Sequence, residues 1–131
     1  MRITDHTDYS IRVLMHLNKR KKLLTLQELS EDLGITKNNL IKVSNQLVKA
    51  GFVDSVKGRF GGLKISDKAG ERTLREIICE TEESFNIVTC FKLQECDCVF
   101  YNNCKFKKVL DEALESFLSV LGKKTLNDVT V

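Results

Sequence analysis

Four of the five cysteines of this chain lie within fifteen residues, in the segment CFKLQECDCVFYNNC that runs from Cys90 to Cys104. Thiolate sulfur is a soft ligand for zinc and iron–sulfur clusters, and it is also the reactive form of cysteine in redox chemistry. The N-terminus MRITDHTDYS lacks the basic and then apolar layout of a signal peptide. We therefore expect a cytoplasmic protein, in which clustered cysteines more often hold a metal or sense redox state than form disulfides.

The spacing of these cysteines narrows the chemistry without deciding it. One residue separates Cys96 from Cys98, and five residues separate each of these from its outer neighbour, Cys90 or Cys104. Structural zinc sites favour paired ligands with about two to four residues between them, so the pattern fits zinc poorly. It favours an iron–sulfur cluster that a small molecule can reach, with zinc and unligated thiols as alternatives. The fifth cysteine, Cys79, is expected to be a small core residue of a helix.

Composition and charge place the cysteine segment in a folded domain with one basic half. The chain is 42% hydrophobic and 30% charged, and no apolar run approaches the roughly 18–20 residues that span a bilayer. Residues 1–70 hold 13 lysines and arginines against 7 acidic residues, whereas residues 71–131 hold 8 against 11. A basic first half suits a polyanion such as nucleic acid.

Two short helices joined by a tight turn are predicted between Thr25 and Gly51. The stretch TLQELSEDLG begins with a capping box of Thr25 and Glu28, and Gly34 ends the helix. Thr36 then caps a second helix in KNNLIKVSNQLVKAG, and an amphipathic helix in YSIRVLMHLNKRKK precedes both. This pattern is typical of a helix-turn-helix.

A basic hairpin is predicted directly after the second helix. The stretch FVDSVKGRFGGLKIS has strand character at both ends and the glycine-rich KGRFGG at its tip. Because Lys57, Arg59 and Lys64 lie in this hairpin, it predicts the wing of a winged helix, placed against a phosphate backbone or a minor groove. The fold class is therefore mainly α with a small β-wing.

The predicted DNA contacts come from the second helix and the wing. The recognition helix of a helix-turn-helix enters the major groove with its N-terminal residues nearest the bases. Asn38 and Asn39 are the candidates for base contacts, because asparagine pairs with adenine, although they could instead satisfy free N–H groups of the first helical turn. The remaining predicted DNA contacts are Thr36, Lys37, Lys42, Lys57 and Arg59.

The rear half is predicted to carry the cysteine segment at 90–104 between two helices. The first runs from about Thr73 to Glu80, and the second, at about 105–121, is strongly amphipathic. A long helix outside a compact winged helix favours pairing with its twin in a two-fold dimer. We therefore predict a DNA-binding domain over residues 1–70, followed by a cluster-binding and dimerisation region over residues 71–131. No nucleophile–base pair or phosphate-cradling loop indicates an enzyme.

The quoted stretches together resemble a known family. The opening MRITDHTDYSIRVL, the segment ITKNNLIKVSNQLVKAGFV, the wing VKGRFGGLKIS, the cysteine segment and the closing LDEALESFLSVL with TLNDVT are similar to the iron–sulfur winged-helix regulators that include IscR and NsrR. The likeness covers nearly the whole chain and is closest to the NsrR type, repressors that sense nitric oxide. It implies a homodimer on a palindromic operator in double-stranded DNA, with a 4Fe–4S cluster near the dimer interface.

The resemblance also implies a ligand set. The family uses three cysteines, the last of which precedes a basic stretch, and this assigns Cys104. The family's usual spacing between the middle and last ligands then picks Cys98, and the first ligand is Cys90. Cys96 is then surplus and remains the alternative to Cys98. The IscR type supplies a histidine shortly after the last cysteine, but residues 105–108 here are Lys-Phe-Lys-Lys. The NsrR type instead carries an aspartate early in the first helix, so Asp8 of the partner subunit is the implied fourth ligand, with His6 in reserve.

Two other functions remain as alternatives. A 2Fe–2S regulator of cluster assembly or redox balance would share the fold, but the missing histidine argues against it. A DNA-binding module without a cluster, stabilised by zinc or regulated by thiol oxidation, would use the same cysteines differently.

The position of Asp8 also has an ordinary explanation. Asp8 is predicted in the first turn of a helix, where the helix dipole favours negative charge.

Overall fold

The computed structural model describes residues 1–92 and 96–131, which form a mainly helical domain with one small antiparallel sheet. Three short 3-10 helices lie at Ala69–Glu71, Thr89–Phe91 and Tyr101–Asn103. The α-helices and strands are α1 Asp5–Arg20, α2 Leu26–Leu33, α3 Lys37–Lys49, β1 Val53–Val56, β2 Gly62–Ile65, α4 Leu74–Thr81, α5 Lys105–Gly122 and α6 Leu126–Val129. The predicted fold class, a winged helix-turn-helix followed by a long C-terminal helix, is confirmed.

Threonine caps set the starts of most helices. The side chain of each capping threonine accepts a hydrogen bond from a backbone N–H in the first turn, which satisfies one of the free donors there. The capping threonines are Thr4, Thr25, Thr36, Thr73 and Thr125. Three of them form capping boxes, in which the backbone N–H of the threonine donates to the carboxylate of Glu28, Glu76 or Asp128 and lowers its pKa.

One hydrophobic core joins the helix-turn-helix to the elements that follow it. Residues of α1, α3 and the wing, such as Leu14, Leu47 and Phe52, are fully buried in it. Ile77 of α4 and Leu126 of α6 belong to the same cluster. The core therefore continues beyond residue 70, and the division of the chain at that residue stays a prediction about function.

The wing is fastened to the chain between α1 and α2. Strands β1 and β2 pair antiparallel, and the backbone of Leu63 exchanges two hydrogen bonds with that of Leu24, of 2.9 and 2.8 Å. A side chain at Gly62 would place its Cβ 2.2 Å from the carbonyl oxygen of Leu24, and one at Gly61 would place it 2.1 Å from that of Val56. Two of the three glycines of the tip are thus required by close backbone contacts.

The apolar residues of α5 form a broad stripe along the helix, of which one part faces the core and the other faces solvent. Successive residues of an α-helix are turned by about 100°, so the stripe covers two adjacent sides of the helix. Leu118 is buried, and Leu110, Leu114 and Leu121 are half-buried on the side that faces α4 and the core. The adjacent side is exposed and carries Phe106, Val109, Ala113, Phe117 and Val120. No helix in the described part of the chain is long and apolar enough to cross a membrane.

One expectation for the rear half is corrected. Cys79 is exposed rather than part of the core, because Ile77 and Ile78 take the buried side of α4 and the next residue turns about 100° further towards solvent. The last residues form the capped helix α6, of which Leu126 is fully buried.

Candidate DNA-binding surface and cysteine site

The recognition helix α3 presents its predicted polar residues on the side opposite the core. Leu40, Val43 and Leu47 are buried, which fixes the orientation of the helix. The predicted contact residues at its start then face outward: Thr36, Lys37, Asn38 and Lys42 are exposed, and Asn39 is half-buried. The hydroxyl of Thr36 already accepts a hydrogen bond of 3.3 Å from the backbone N–H of Asn39, so its role in capping is established.

The wing tip adds two exposed cations beside an exposed aromatic ring. Lys57 and Arg59 are exposed in the turn between β1 and β2. The guanidinium of Arg59 lies 5.7 Å from the centroid of the Phe60 ring, and Phe60 is 84% exposed. These side chains have the charge and the accessibility that contact with a DNA backbone requires.

The cysteine segment offers free thiols. All five cysteines of the chain lie among the described residues and are free; Cys98 is exposed, and Cys90, Cys96 and Cys104 are half-buried. Cys104 is the N-cap of α5, and its Sγ accepts a hydrogen bond of 3.3 Å from the backbone N–H of Lys107. The positive end of the helix dipole therefore faces this sulfur.

The thiols of the cysteine segment have the chemistry that an iron–sulfur cluster requires, although the described residues of one chain do not bring them together. Several accessible thiols in one segment are the donors that iron–sulfur clusters use. Within residues 1–92 and 96–131, however, no three His, Cys, Asp or Glu side chains come together as a metal site. Cys90, Cys98 and Cys104 could hold a cluster only after the segment draws them closer.

Asp8 is engaged in an ion pair on the surface of α1. Its carboxylate lies 2.6 Å from the guanidinium of Arg12, one turn further along the helix, and the side chain is 47% exposed. Asp8 also lies in the first turn of α1, where negative charge is favoured. It is accessible to another molecule, and because Arg12 contacts Oδ2, the other carboxylate oxygen has no ion-pair partner among the described residues.

The C-cap residue of α4, Glu82, holds the start of α1 through its carboxylate. Oε2 of Glu82 accepts hydrogen bonds from the backbone N–H and the hydroxyl of Thr4, at 3.2 and 3.0 Å, and from the hydroxyl of Thr7, at 2.6 Å. Thr4 is the N-cap of α1 and Thr7 is fully buried. The chain leading to the cysteine segment is thereby fixed to the helix that carries Asp8.

A second set of contacts connects the same region to the recognition helix. The side-chain amide of Gln46, on α3, donates to the backbone carbonyl of Glu80, and its carbonyl oxygen pairs with Nε2 of His6 on α1. His6, Gln46 and Glu82 line a cavity of about 430 Å³ together with Lys42. We call this set of contacts among His6, Gln46, Glu80 and Glu82 the α1–α3–α4 junction.

The junction was not predicted from the sequence. Gln46 is a polar residue that lies one position before the buried Leu47, and a polar side chain at the edge of a core-facing stripe is a signal for a specific hydrogen bond. Glu82 gave no comparable signal, because its partner Thr4 is 78 residues away in the chain.

Comparison with known proteins decides the family. The sequence profile of the Rrf2 family, described as an iron-dependent transcriptional regulator, matches residues 3–131. The chain belongs to the Rrf2 family.

Curated relatives within the Rrf2 family extend along almost the whole chain. The HTH-type transcriptional regulator NsrR of Bacillus subtilis (strain 168) is 38% identical over 131 residues, which cover 98% of this chain and 90% of the relative. The NsrR of Shouchella clausii is 33% identical and is matched over 89% of its length. The resemblance to NsrR and the prediction of a regulator rather than an enzyme are thus confirmed.

Solved structures in the same fold include two further regulators. The oxidised form of CymR from Staphylococcus aureus has a TM-score of 0.76 at 20% identity and covers 99% of this chain and 96% of that one. IscR from T. potens has a TM-score of 0.72 at 23% identity, with coverage of 98% and 85%. At these identities the likeness establishes the winged-helix fold of the Rrf2 family.

Proposed function

We propose that the chain is a cytoplasmic, homodimeric repressor that binds a palindromic operator in double-stranded DNA and senses nitric oxide through a cysteine-bound iron–sulfur cluster, 4Fe–4S rather than 2Fe–2S. The chain is 38% and 36% identical to two regulators named NsrR over 98% of its length, and this similarity supports the proposal. The observation that carries it is the α1–α3–α4 junction, because it joins the recognition helix to the residues that lead into the cysteine segment.

Cys90, Cys98 and Cys104 are the proposed cysteine ligands, with Cys96 as the alternative to Cys98. The exposure of Cys98, against the half-burial of Cys96, makes it the more accessible of the two thiols. Asp8 of the partner subunit is the proposed fourth ligand, with His6 in reserve. A bound cluster would supply iron that reacts with nitric oxide.

The protein's own residues transmit the state of the cysteine segment. Glu82 binds Thr4 and Thr7 at the start of α1, and Gln46 binds the end of α4 from the recognition helix. A shift of the segment that follows α4 therefore acts on α1 and α3 together. If Asp8 of the partner subunit becomes a ligand, the same end of α1 gains a contact across the dimer.

The proposed DNA-bound state is a two-fold dimer. The exposed apolar side of α5 supplies a surface for pairing with a second copy, and each chain presents α3 and the wing. A two-fold protein matches a palindromic site, in which equivalent half-sites receive equivalent recognition helices.

Anaerobic purification with an absorption spectrum and titration with nitric oxide tests this function. We expect a coloured protein whose affinity for its operator falls as nitric oxide is added. A colourless protein with stoichiometric zinc, or an affinity that nitric oxide leaves unchanged, would contradict the proposal.

The fourth ligand has its own test. We expect Asp8→Ala to retain the cluster but to change its stability or its rate of reaction with nitric oxide, because a carboxylate is a weak, hard ligand among thiolates. Asp5→Ala is the matched control, since Asp5 lies in the same first turn and pairs with Arg2. Spectra and reaction rates of Asp8→Ala that equal those of the wild type would remove Asp8 from the ligand set.

A further inference from the structure

Lys107 differs from the other lysines of the basic stretch that follows Cys104. Lys105 and Lys108 are exposed, whereas Lys107 is half-buried. Its Nζ lies 5.9 Å from the centroid of the Phe91 ring and 5.4 Å from the centroid of the Tyr101 ring. Both distances are within the range of about 6 Å at which an ammonium is attracted to an aromatic face.

The two rings belong to the two arms of the cysteine segment. Phe91 directly follows Cys90 and ends the 3-10 helix Thr89–Phe91. Tyr101 begins the 3-10 helix Tyr101–Asn103, which leads into Cys104. A single ammonium group thus contacts the arm that carries the first cysteine and the arm that carries the last.

The backbone of Lys107 makes a third contact with the same segment. Its N–H donates to Sγ of Cys104 at 3.3 Å. Lys107 also lies seven residues before Leu114 and eleven before Leu118, so it is on the side of α5 that faces the domain. Leu118 of α5 is buried and Arg75 of α4 pairs with Glu115 at 2.9 Å, so this side of α5 packs towards α4.

We propose that Lys107 is a positioning residue that holds the two arms of the cysteine segment together, so that Cys90 and Cys104 approach a common metal or cluster. The proposal rests on the proposed function for the assignment of these two cysteines as ligands. The positive charge of Lys107 also offsets the negative charge that thiolate ligands bring to the site. Lys105 and Lys108 carry the same charge but are exposed, and within the described part of the chain neither contacts an aromatic ring.

Binding of Co²⁺ alone to the full-length chain without its cluster tests this role. Thiolate-bound Co²⁺ is followed by its absorption under anaerobic conditions, and iron and sulfide per chain are measured after reconstitution in parallel. We expect Lys107→Met to weaken Co²⁺ binding by about tenfold, as the loss of two cation–aromatic contacts predicts. Lys107→Arg should restore it, because a guanidinium also binds aromatic faces.

Lys105→Met and Lys108→Met are the matched controls, since each removes one positive charge without removing a ring contact. Both should bind Co²⁺ like the wild type. If either weakens binding as much as Lys107→Met, net charge explains the effect and the positioning role is wrong. Circular dichroism of each variant establishes that it is folded.

A second variant keeps the proposal testable without changing any charge. Tyr101→Leu should weaken Co²⁺ binding, and the double variant with Lys107→Met should lose less than the product of the two single effects. If the effects of Tyr101→Leu and Lys107→Met on Co²⁺ binding simply multiply in the double variant, the two side chains do not act through a shared contact and the positioning role is wrong. If the wild-type protein binds neither Co²⁺ nor a cluster, both the proposed function and the positioning role are wrong. If the wild type binds them and Lys107→Met binds Co²⁺ equally well, the positioning role alone is wrong.

Discussion

The helix-turn-helix with its wing and the long helix α5 differ in how they use their apolar residues. In α1 and α3 the apolar side is closed by the chain itself, and residues such as Leu14 and Leu47 are completely buried. In α5, a helix of 18 residues, Leu118 alone is buried, while Val109 and Val120 are 60% and 62% exposed. The DNA-binding part therefore completes its core within one chain, whereas α5 leaves a second apolar side exposed.

This difference separates apolar contacts that stabilise the folded chain from apolar surface that only association with another molecule would bury. Apolar surface that faces α4 contributes to folding, and apolar surface on the adjacent side of α5 contributes only when another molecule covers it. The proposed occupant is the second copy of the chain. Four predictions, in order of decreasing effect, test the comparison.

The largest effect is expected in the core of the DNA-binding part. Leu40→Ala should lower the free energy of unfolding by about 2–5 kcal/mol, because it removes a fully buried side chain and leaves a cavity. Ile41→Ala is the neighbouring control, since Ile41 is 45% exposed and should change the free energy by less than about 1 kcal/mol. Urea unfolding measures both, and similar losses for the two variants would break the comparison.

The next effect is expected on the exposed side of α5. Val109→Glu should weaken self-association by about 100-fold, because it would bury an unpaired charge between two copies, and leave the helical content unchanged. Sedimentation measures the association. Ser119→Glu, on the polar side of the same helix, is the control, and if both variants associate like the wild type, α5 does not form the dimer.

A smaller effect is expected from the charges of the wing. Lys57→Ala should weaken binding to all DNA sequences and reduce the slope of log K against log salt by about 1, because one phosphate contact is lost. Arg59→Ala should act in the same way. Lys123→Ala at the end of α5 serves as a control from the rear half, and an unchanged slope in the wing variants would exclude the wing from the interface.

The smallest effect concerns pH and the capping box of α4. The hydrogen bond from the backbone N–H of Thr73 lowers the pKa of Glu76 below its ordinary value of 4.5, so its stabilising contribution is present at neutral pH and is lost as the pH falls below that value. Glu76→Gln should therefore lose less stability than the wild type on acidification, by well under about 1 kcal/mol, because Glu76 is exposed and solvent screens its interactions. Thermal unfolding at neutral and acidic pH measures the difference, with Glu80→Gln, outside the capping box, as the control. An equal loss in Glu76→Gln and the wild type would contradict the prediction.

Local signals in the sequence predict most of the fold. The capping box at Thr25 and the glycine at 34 give the bounds of α2, and the apolar spacing of α3 gives its buried side. The prediction for Cys79 failed because two buried isoleucines already occupied the short core-facing side of α4. Helical periodicity gave the stripe of α5 but could not divide it, because the division depends on where α4 packs.

The site is predicted less completely than the fold. The residue types of the cysteine segment indicate the chemistry, and the recognition-helix residues follow from the helix-turn-helix. The contacts of Glu82 with Thr4 and of Lys107 with Phe91 depend on folding of residues far apart in the chain or separated by a loop. The choice of Cys98 over Cys96 and the role of Asp8 stay predictions, because both require a second chain or a bound cluster.

Pairing through the exposed side of α5 would make the number of dimers depend on how many chains a cell contains. For a chain that pairs through this surface and is mostly unpaired, the number of dimers rises with the square of the number of chains. Doubling its synthesis would then increase the DNA-binding species about fourfold. Control by such a protein depends steeply on gene dosage, and a repressor that limits its own expression would suppress this variation.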